Sequence, residues 1–365
     1  MKMLVAQNAQ QKYLNCLTYS RPQLRQLQQQ AYTCPACQQP VMLKVGTTMQ
    51  PHFAHFAGAA CHAATEGETA EHLAGKALLG QLCRRWQVTF AYEVYLPAIQ
   101  QRPDLLLSIG HRRIALEFQC SPITVPRLQA RTQGYHQIGY QVIWILGQRY
   151  QRQQWRQSNH AFLQYALKWG WYQWHLVVAR SELRLLHHIA HSGYPQQTSF
   201  QVSTLSQLQH ITPPQRPPLS VAALLNESRQ LYYKLGQAAP ELQQLQQACY
   251  LKGHHLAGTP LCCHQASMPP LNRRAIVLLQ VRLLLFCEQL GQVTLAQLRQ
   301  FCWQNARAFY CLPLVDEQFW YLQWCVQTLK NWQRQGIVTA QETEWHYQGA
   351  QWYGDYFAKQ RALLK

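Results

Sequence analysis

Between residues 86 and 147 the apolar and polar positions alternate most cleanly, and changes of period mark where strands give way to helices. VTFAYEVYLP (88–97) reads as a strand, as do RPDLLLSI (102–109) and RIALEFQCS (113–121), with Gly110-His111-Arg112 short enough for a hairpin. Ahead of them EGETAEHLAGKALLGQLCRRW (66–86) has helical periodicity. After them TVPRLQARTQGYHQIG (124–139) reads as a helix and YQVIWILG (140–147) as a buried strand. The predicted order is therefore helix, three strands, helix, strand.

Outside this window the pattern is coarser. Residues 1–30 combine a short apolar start with a glutamine-rich, helical segment, RPQLRQLQQQ. Residues 148–212 are aromatic and basic without clear boundaries, and ITPPQRPPLS (211–220) is the best linker, since proline resists helix and central strand alike. The remainder predicts a mainly helical domain: AIVLLQVRLLLFCEQLGQ, VTLAQLRQFCWQNA and DEQFWYLQWCVQTLKNWQRQG as helices, then IVTAQETEWHY as a hairpin. That succession has two readings, a plain helical domain and a winged-helix-like one. The expected division is 1–62, an N-terminal segment with a Cys/His unit; 63–150, the core; 151–212, an aromatic and basic extension of it; and 213–365, the C-terminal domain.

Composition narrows the function. The formal charge is +18, from 33 Lys and Arg against 15 Asp and Glu, which favours polyanionic partners and above all nucleic acid. Thirteen cysteines, an odd count behind no secretory signal, predict reduced thiols in a cytoplasmic protein. The longest apolar run, 275–287, is interrupted by Gln280 and Arg282 and predicts no membrane span.

Two groups of residues carry candidate chemistry. Cys34-Pro35-Ala36-Cys37 and His52-Phe53-Ala54-His55 form a CxxC and an HxxH at finger-like spacing, a donor set for structural Zn²⁺, with Cys61 as a substitute ligand. Cys262-Cys263-His264 reads as a reduced, buried pair for want of a fourth ligand nearby. The second group is acidic. Asp104 and Glu117 punctuate adjacent strands, and paired carboxylates can hold a hard divalent cation beside a phosphate. Glu68, His72 and Lys76 recur at i, i+4, i+8 on the preceding helix, where they either join that site or form a solvated, salt-bridged face. Ala115, Glu117 and Gln119 share one face of their strand. Arg127, Arg131 and Tyr135 repeat at i, i+4, i+8 on the next helix and offer phosphate donors for DNA.

With CPAC, PHFAH, EGETAEHLAGK, RPDLLLSIG, IALEFQCSPI and VIWILG in this order, the chain resembles the competence protein CoiA family over residues 31–147, and D-x12-E-x-Q resembles the PD-(D/E)xK nuclease core. The resemblance implies an α/β, restriction-endonuclease-like core (αβββαβ), a small zinc-ribbon-like N-terminal unit and a mainly α-helical C-terminal domain. It also implies action on incoming single-stranded DNA in transformation, beside RecA or recombination mediators. Asp104 and Glu117 would then be Mg²⁺ or Mn²⁺ ligands, with the Phe118 carbonyl a third, while Gln119 stands where most such nucleases place lysine. Lys76 reaching in from the helix is one way to restore that charge. Two function classes follow: a metal-dependent nuclease, or a DNA-binding recombination accessory factor that does not cleave.

Overall fold

The computed structural model describes residues 2–59, 61, 69–151, 157–237, 239–342 and 344–365. The chain divides into two compact units. Met1–Phe162, Gln173–Leu185 and Ser203–Gln209 form the first; Leu163–Tyr172, Leu186–Val202 and His210–Lys365 form the second.

The first unit opens with β1 (Lys2–Met3), β2 (Val5–Asn8), β3 (Tyr13–Asn15), α1 (Arg21–Gln26), β4 (Tyr32–Thr33), β5 (Pro40–Lys44) and β6 (His52–His55). The strands pair antiparallel in the order β1-β6-β5-β4-β2-β3. The glutamine-rich segment is helical over one and a half turns only: Ser20 and Gln23 form a capping box, and Leu24 is its single buried side chain. Met3, Leu14, Tyr32, Leu43 and Phe53 are at the centre of a small core. A core of this size is marginal without a further crosslink.

Next come α2 (Ala70–Arg85), β7 (Thr89–Tyr92), β8 (Leu105–Ile109), β9 (Arg112–Gln119), α3 (Val125–Gln137) and β10 (Gln141–Leu146). β7, β8 and β9 form an antiparallel meander, and β10 lies parallel to β9 from Gln141–Ile114 to Leu146–Gln119. β9, between β8 and β10, is an interior strand, buried from Ile114 to Gln119. Because alternate residues point to opposite faces, Phe118 meets α2 while Glu117 meets α3. α2 lies close on the sheet because Gly75 and Gly80 lack a Cβ: one there would collide with the Phe118 ring or the Tyr92 hydroxyl. That closeness brings the His72 and Lys76 side of α2 against the strands.

The rest of the first unit and the start of the second come from α4 (Gln148–Gln151), α5 (Gln157–His160), β11 (Gln164–Ala166), β12 (Gly170–Val177), β13 (Glu182–Ser192) and β14 (Gln197–Thr204). In the first unit β12 lies parallel to β10 through Ile145–Trp174 and Leu146–His175. His175 is 3 % exposed, and burial, with Arg184 nearby, pushes its pKa down to about 4. The unfolded chain therefore binds the extra proton between pH 6.5 and pH 4, so stability falls as pH falls through that window. Chemical denaturation at its two ends should show a loss of roughly 3 kcal/mol from this group, and His175→Gln should remove that share of the slope.

In the second unit β11 pairs antiparallel with the start of β12. Residues 211–220 hold neither helix nor strand. Then follow α6 (Val221–Gly236), α7 (Pro240–Tyr250), α8 (Ile276–Leu290), β15 (Gln292–Thr294), α9 (Leu295–Gln304), α10 (Glu317–Arg334), β16 (Val338–Gln341), β17 (Glu344–Tyr347) and α11 (Tyr356–Leu363). The last three strands form one antiparallel sheet, β15-β17-β16. Apolar nearly all round, α8 is buried along most of its length. Cys262 and Cys263 are buried free thiols, and His264 is bonded to Glu227 at 2.7 Å and to Lys359 at 2.7 Å.

Candidate active site and metal centre

The thiols of Cys34 and Cys37 in the β4–β5 turn, His55 on β6 and Cys61 beyond it bring four donor atoms within 4.8 Å of one another. Cys37 Sγ lies 3.3 Å from His55 Nε2, and Cys34 Sγ lies 4.0 Å from Cys61 Sγ. Tetrahedral zinc with mixed sulfur and nitrogen ligands has donor–donor edges of roughly 3.5–3.8 Å, which these separations bracket. Burial holds His55 below its usual pKa, so the ring is neutral and competent to ligate. The cluster is thus Cys₃His, the chemistry of a structural metal site such as zinc.

This corrects the Cys₂His₂ set expected from the spacing. His52 and His55 lie three apart on a strand and so point to opposite faces. His55 turns to the thiols, whereas His52 Nδ1 lies 2.9 Å from the Gln50 carbonyl. Cys61 takes the vacant fourth corner. His62 lies outside the described residues.

The second site is acidic. From residue 1 to residue 181 the chain has six acidic residues, all between 66 and 117. Glu66 and Glu68 lie outside the described residues, and Glu71 accepts from the Gln148 N–H at 2.7 Å. The other three are buried: Glu93, Asp104 and Glu117 are 3 %, 8 % and 5 % exposed. Asp104 immediately precedes β8 and Glu117 follows the last β8–β9 register pair, Leu105–Leu116; the Asp104 carboxylate meets α2 and the Glu117 carboxylate meets α3.

Each carboxylate has its own holders. Asp104 Oδ2 accepts from the Phe118 N–H at 2.8 Å and is paired with His72 Nε2 at 3.0 Å, while Lys76 Nζ lies 3.7 Å from Oδ1. His72 in turn stacks on Phe118 with ring centroids 5.8 Å apart. Burial works against ionisation of Asp104, but His72, Lys76 and the Phe118 N–H together hold it well below the usual carboxylate range. Glu117 Oε1 accepts from Arg131 Nη2 and from the Tyr135 hydroxyl. Here burial prevails, and the charge of Asp104 adds to it, so Glu117 is raised although Arg131 opposes the shift. Arg131 has its own shift upward, because Glu117 outweighs the cost of burying a guanidinium.

Glu93 was not singled out by the sequence, since neither alternation nor motif marks it. It follows β7 with a φ of 51°, the left-handed region that few side chains adopt. One oxygen is bonded to Lys76, and the other accepts from the Leu4 and Val5 N–H groups at 2.9 and 3.2 Å. Burial opposes its charge, but Lys76 holds it below the usual range. Glu93 therefore ties the Cys/His-bearing sheet to the helix that approaches Asp104.

Other expected site residues fall as follows. Gln119 is buried and donates to the Ser121 carbonyl at 2.7 Å. Of the three phosphate donors predicted on α3, Arg127 is exposed, whereas Arg131 and Tyr135 turn inward. The reason is electrostatic: a buried carboxylate at Glu117 needs donors, and these two meet it.

Inside this cluster three carboxylates, Glu93, Asp104 and Glu117, meet the permanent cations Lys76 and Arg131, and the charge of Arg102 also acts on Glu93. Asp104 and Glu117 are hard oxygen donors of the kind a divalent cation takes, and the charge of Asp104 raises Glu117. Comparison with known families matches residues 16–64 to the N-terminal domain of competence protein CoiA and residues 68–215 to its nuclease-like domain. The chain belongs to the CoiA family. The first span holds all four metal-cluster residues and the second holds Asp104, Glu117 and their partners. Competence protein CoiA of Bacillus subtilis (strain 168) is 34 % identical over 125 residues, which span 34 % of this chain and 34 % of that relative. No solved structure matches the chain. Among the described residues, no helix is long and apolar enough to cross a membrane.

Proposed function

We propose that the protein is a metal-dependent DNA nuclease of natural competence that processes incoming single-stranded DNA in the cytoplasm. The observation that carries this reading is the pair of buried carboxylates, Asp104 before β8 and Glu117 on the adjacent β9, close enough that the charge of Asp104 raises Glu117, with Lys76 at 3.7 Å from Asp104. The α2-β7-β8-β9-α3-β10 order, with β10 parallel to β9, supports a PD-(D/E)xK core. Family membership and a charge of +18 point the same way.

Asp104 and Glu117 would hold Mg²⁺ or Mn²⁺, which supplies Lewis acidity toward the phosphodiester. His72 and the Phe118 N–H keep the Asp104 carboxylate ionised and fixed in direction. Arg131 and Tyr135, from α3, fix the direction of the Glu117 carboxylate and oppose the upward shift that burial imposes on it. Lys76 supplies the positive charge that Gln119 lacks, and it stabilises charge gathering on the phosphoryl oxygens. In the hydrolysis a water oxygen bonds to phosphorus, the bond from phosphorus to the 3′-oxygen breaks, and that oxygen leaves protonated.

A second reading has an observation of its own. The Glu117 carboxylate is already engaged by Arg131 and Tyr135, and Gln119 carries no charge. This favours an accessory factor that grips DNA beside RecA or its loaders without cutting. End-labelled single- and double-stranded DNA, incubated with Mg²⁺, Mn²⁺ or no divalent metal, separates the two. Cutting that requires the metal supports the nuclease; tight binding with no cutting in any arm overturns it.

A further inference from the structure

The second unit contains a groove that the cutting site does not use. Its volume is about 790 Å³, with one wall from α10 and the other from the β11–β12 hairpin. Along its wall an aromatic platform runs: Tyr165 and Trp320 have ring centroids 4.2 Å apart, Trp171 and Trp320 4.7 Å, and Phe319 and Trp320 5.3 Å. Tyr165 and Phe319 leave 37 % and 49 % of their surface to solvent, which is unusual for rings so close to others. Beyond the platform, Gln323, Gln327 and Asn331 recur at i, i+4, i+8 on the same face of α10, opposite the face that Cys325, Leu329 and Trp332 bury in the core.

The charge of this groove is one-sided. No carboxylate is among its lining residues, and Arg216 lies within it, its guanidinium donating to the His188 carbonyl at 2.6 Å. Lys168, next to Leu167 at the hairpin tip, and Lys330 and Arg334 on α10 are exposed. After Glu317, α10 contains no acidic residue.

The shape selects among polyanions. The order α8-β15-α9-α10-β16-β17 with one three-stranded sheet is that of a winged helix, in which the helix in the place of α10 is offered to a duplex. A major groove about 12 Å wide admits a helix that protrudes. Here the outward face of α10 is walled by Tyr165 and Trp171, so a flat base enters where a whole duplex does not. Half-exposed rings stack bases, amides meet base edges, and rim lysines and arginines follow the phosphates.

We infer that this groove binds a single strand of nucleic acid, with bases stacked on Tyr165, Phe319 and Trp320 and phosphates following Lys330 and Arg334. The inference stands apart from cutting, and it is tested without it. The zinc-loaded full chain, with no added divalent metal, is titrated with a fluorescent single strand of about twelve nucleotides, a length within known single-strand site sizes. Tryptophan emission should be quenched on binding. Phe319→Ala and Gln327→Glu, both at exposed positions, should each weaken affinity on the order of tenfold at unchanged thermal midpoint. Lys330→Glu should lower the salt slope of binding by about one. Wild-type affinity in all three variants, or tighter binding of the matching blunt duplex, would overturn the inference, as would displacement of the strand by a proline-rich peptide.

Discussion

Replacing Cys37 by serine is expected to strip the structural metal and unfold the six-stranded sheet of the first unit. Cys37 Sγ is 3.3 Å from His55 Nε2, and loss of one thiolate opens a closed Cys₃His site. The core beneath it is small, and in zinc-finger peptides the metal contributes an apparent 10–16 kcal/mol, about as much as a whole domain's stability. The damage should travel to the acidic cluster. Leu4 and Val5, which donate to Glu93, sit at the junction of β1 and β2 and lose their position when the sheet opens. Zinc analysis should give one ion per wild-type chain and a much lower content in the variant. Limited proteolysis should then cut within residues 2–59. A zinc-free wild type, or a Cys37→Ser protein with wild-type melting and proteolysis, would contradict this.

Lys76→Met should nearly abolish cutting, through two effects that can be told apart. Lys76 is fully buried, bonded to Glu93 and 3.7 Å from Asp104. Its loss leaves the buried Glu93 without its ion-pair partner, with only the Leu4 and Val5 N–H groups and the charge of Arg102 remaining, and breaking a buried pair typically costs about 3–5 kcal/mol. Removing a preorganised positive charge from beside the scissile phosphate lowers the rate on the order of 10²–10³. Glu93→Gln added to Lys76→Met removes the orphaned charge, so the double variant should regain most of the stability and little of the rate. Urea unfolding and strand cutting on the four proteins of the cycle provide the check. Recovery of wild-type cutting in the double variant would show Lys76 to be a structural counter-ion only.

The strands from Thr89 to Leu146 were legible because each has one clear period and a turn at its ends. Asp104 and Glu117 stood out as the acids that end or interrupt those strands. Periodicity, however, says which residues share a face without saying what that face meets. Arg131 and Tyr135 share their face with Arg127, yet only the partner strand carrying Glu117 decides that they turn inward. The HxxH of β6 misled for a related reason, since its spacing serves as a ligand pair only where the backbone does not alternate. Glu93 left no trace because its role depends on Leu4 and Val5, far away in sequence. From 148 to 212 the strands were hidden by rings and amides, which suit buried and exposed positions equally.

The most direct test of the central claim compares wild type with the Asp104→Asn/Glu117→Gln pair of substitutions, zinc-loaded, in one Mn²⁺ titration followed by electron paramagnetic resonance and by strand cutting. These near-isosteric amides preserve side-chain volume while removing both charges, and because Glu117→Gln leaves the buried Arg131 without its ion pair, the fold of the variant is checked by its thermal midpoint in the same experiment. The account predicts that wild type binds Mn²⁺ and cuts in step with its occupancy, and that the double variant does neither while still binding DNA. Undiminished cutting by the double variant, or Mn²⁺ bound equally by both proteins, would contradict it.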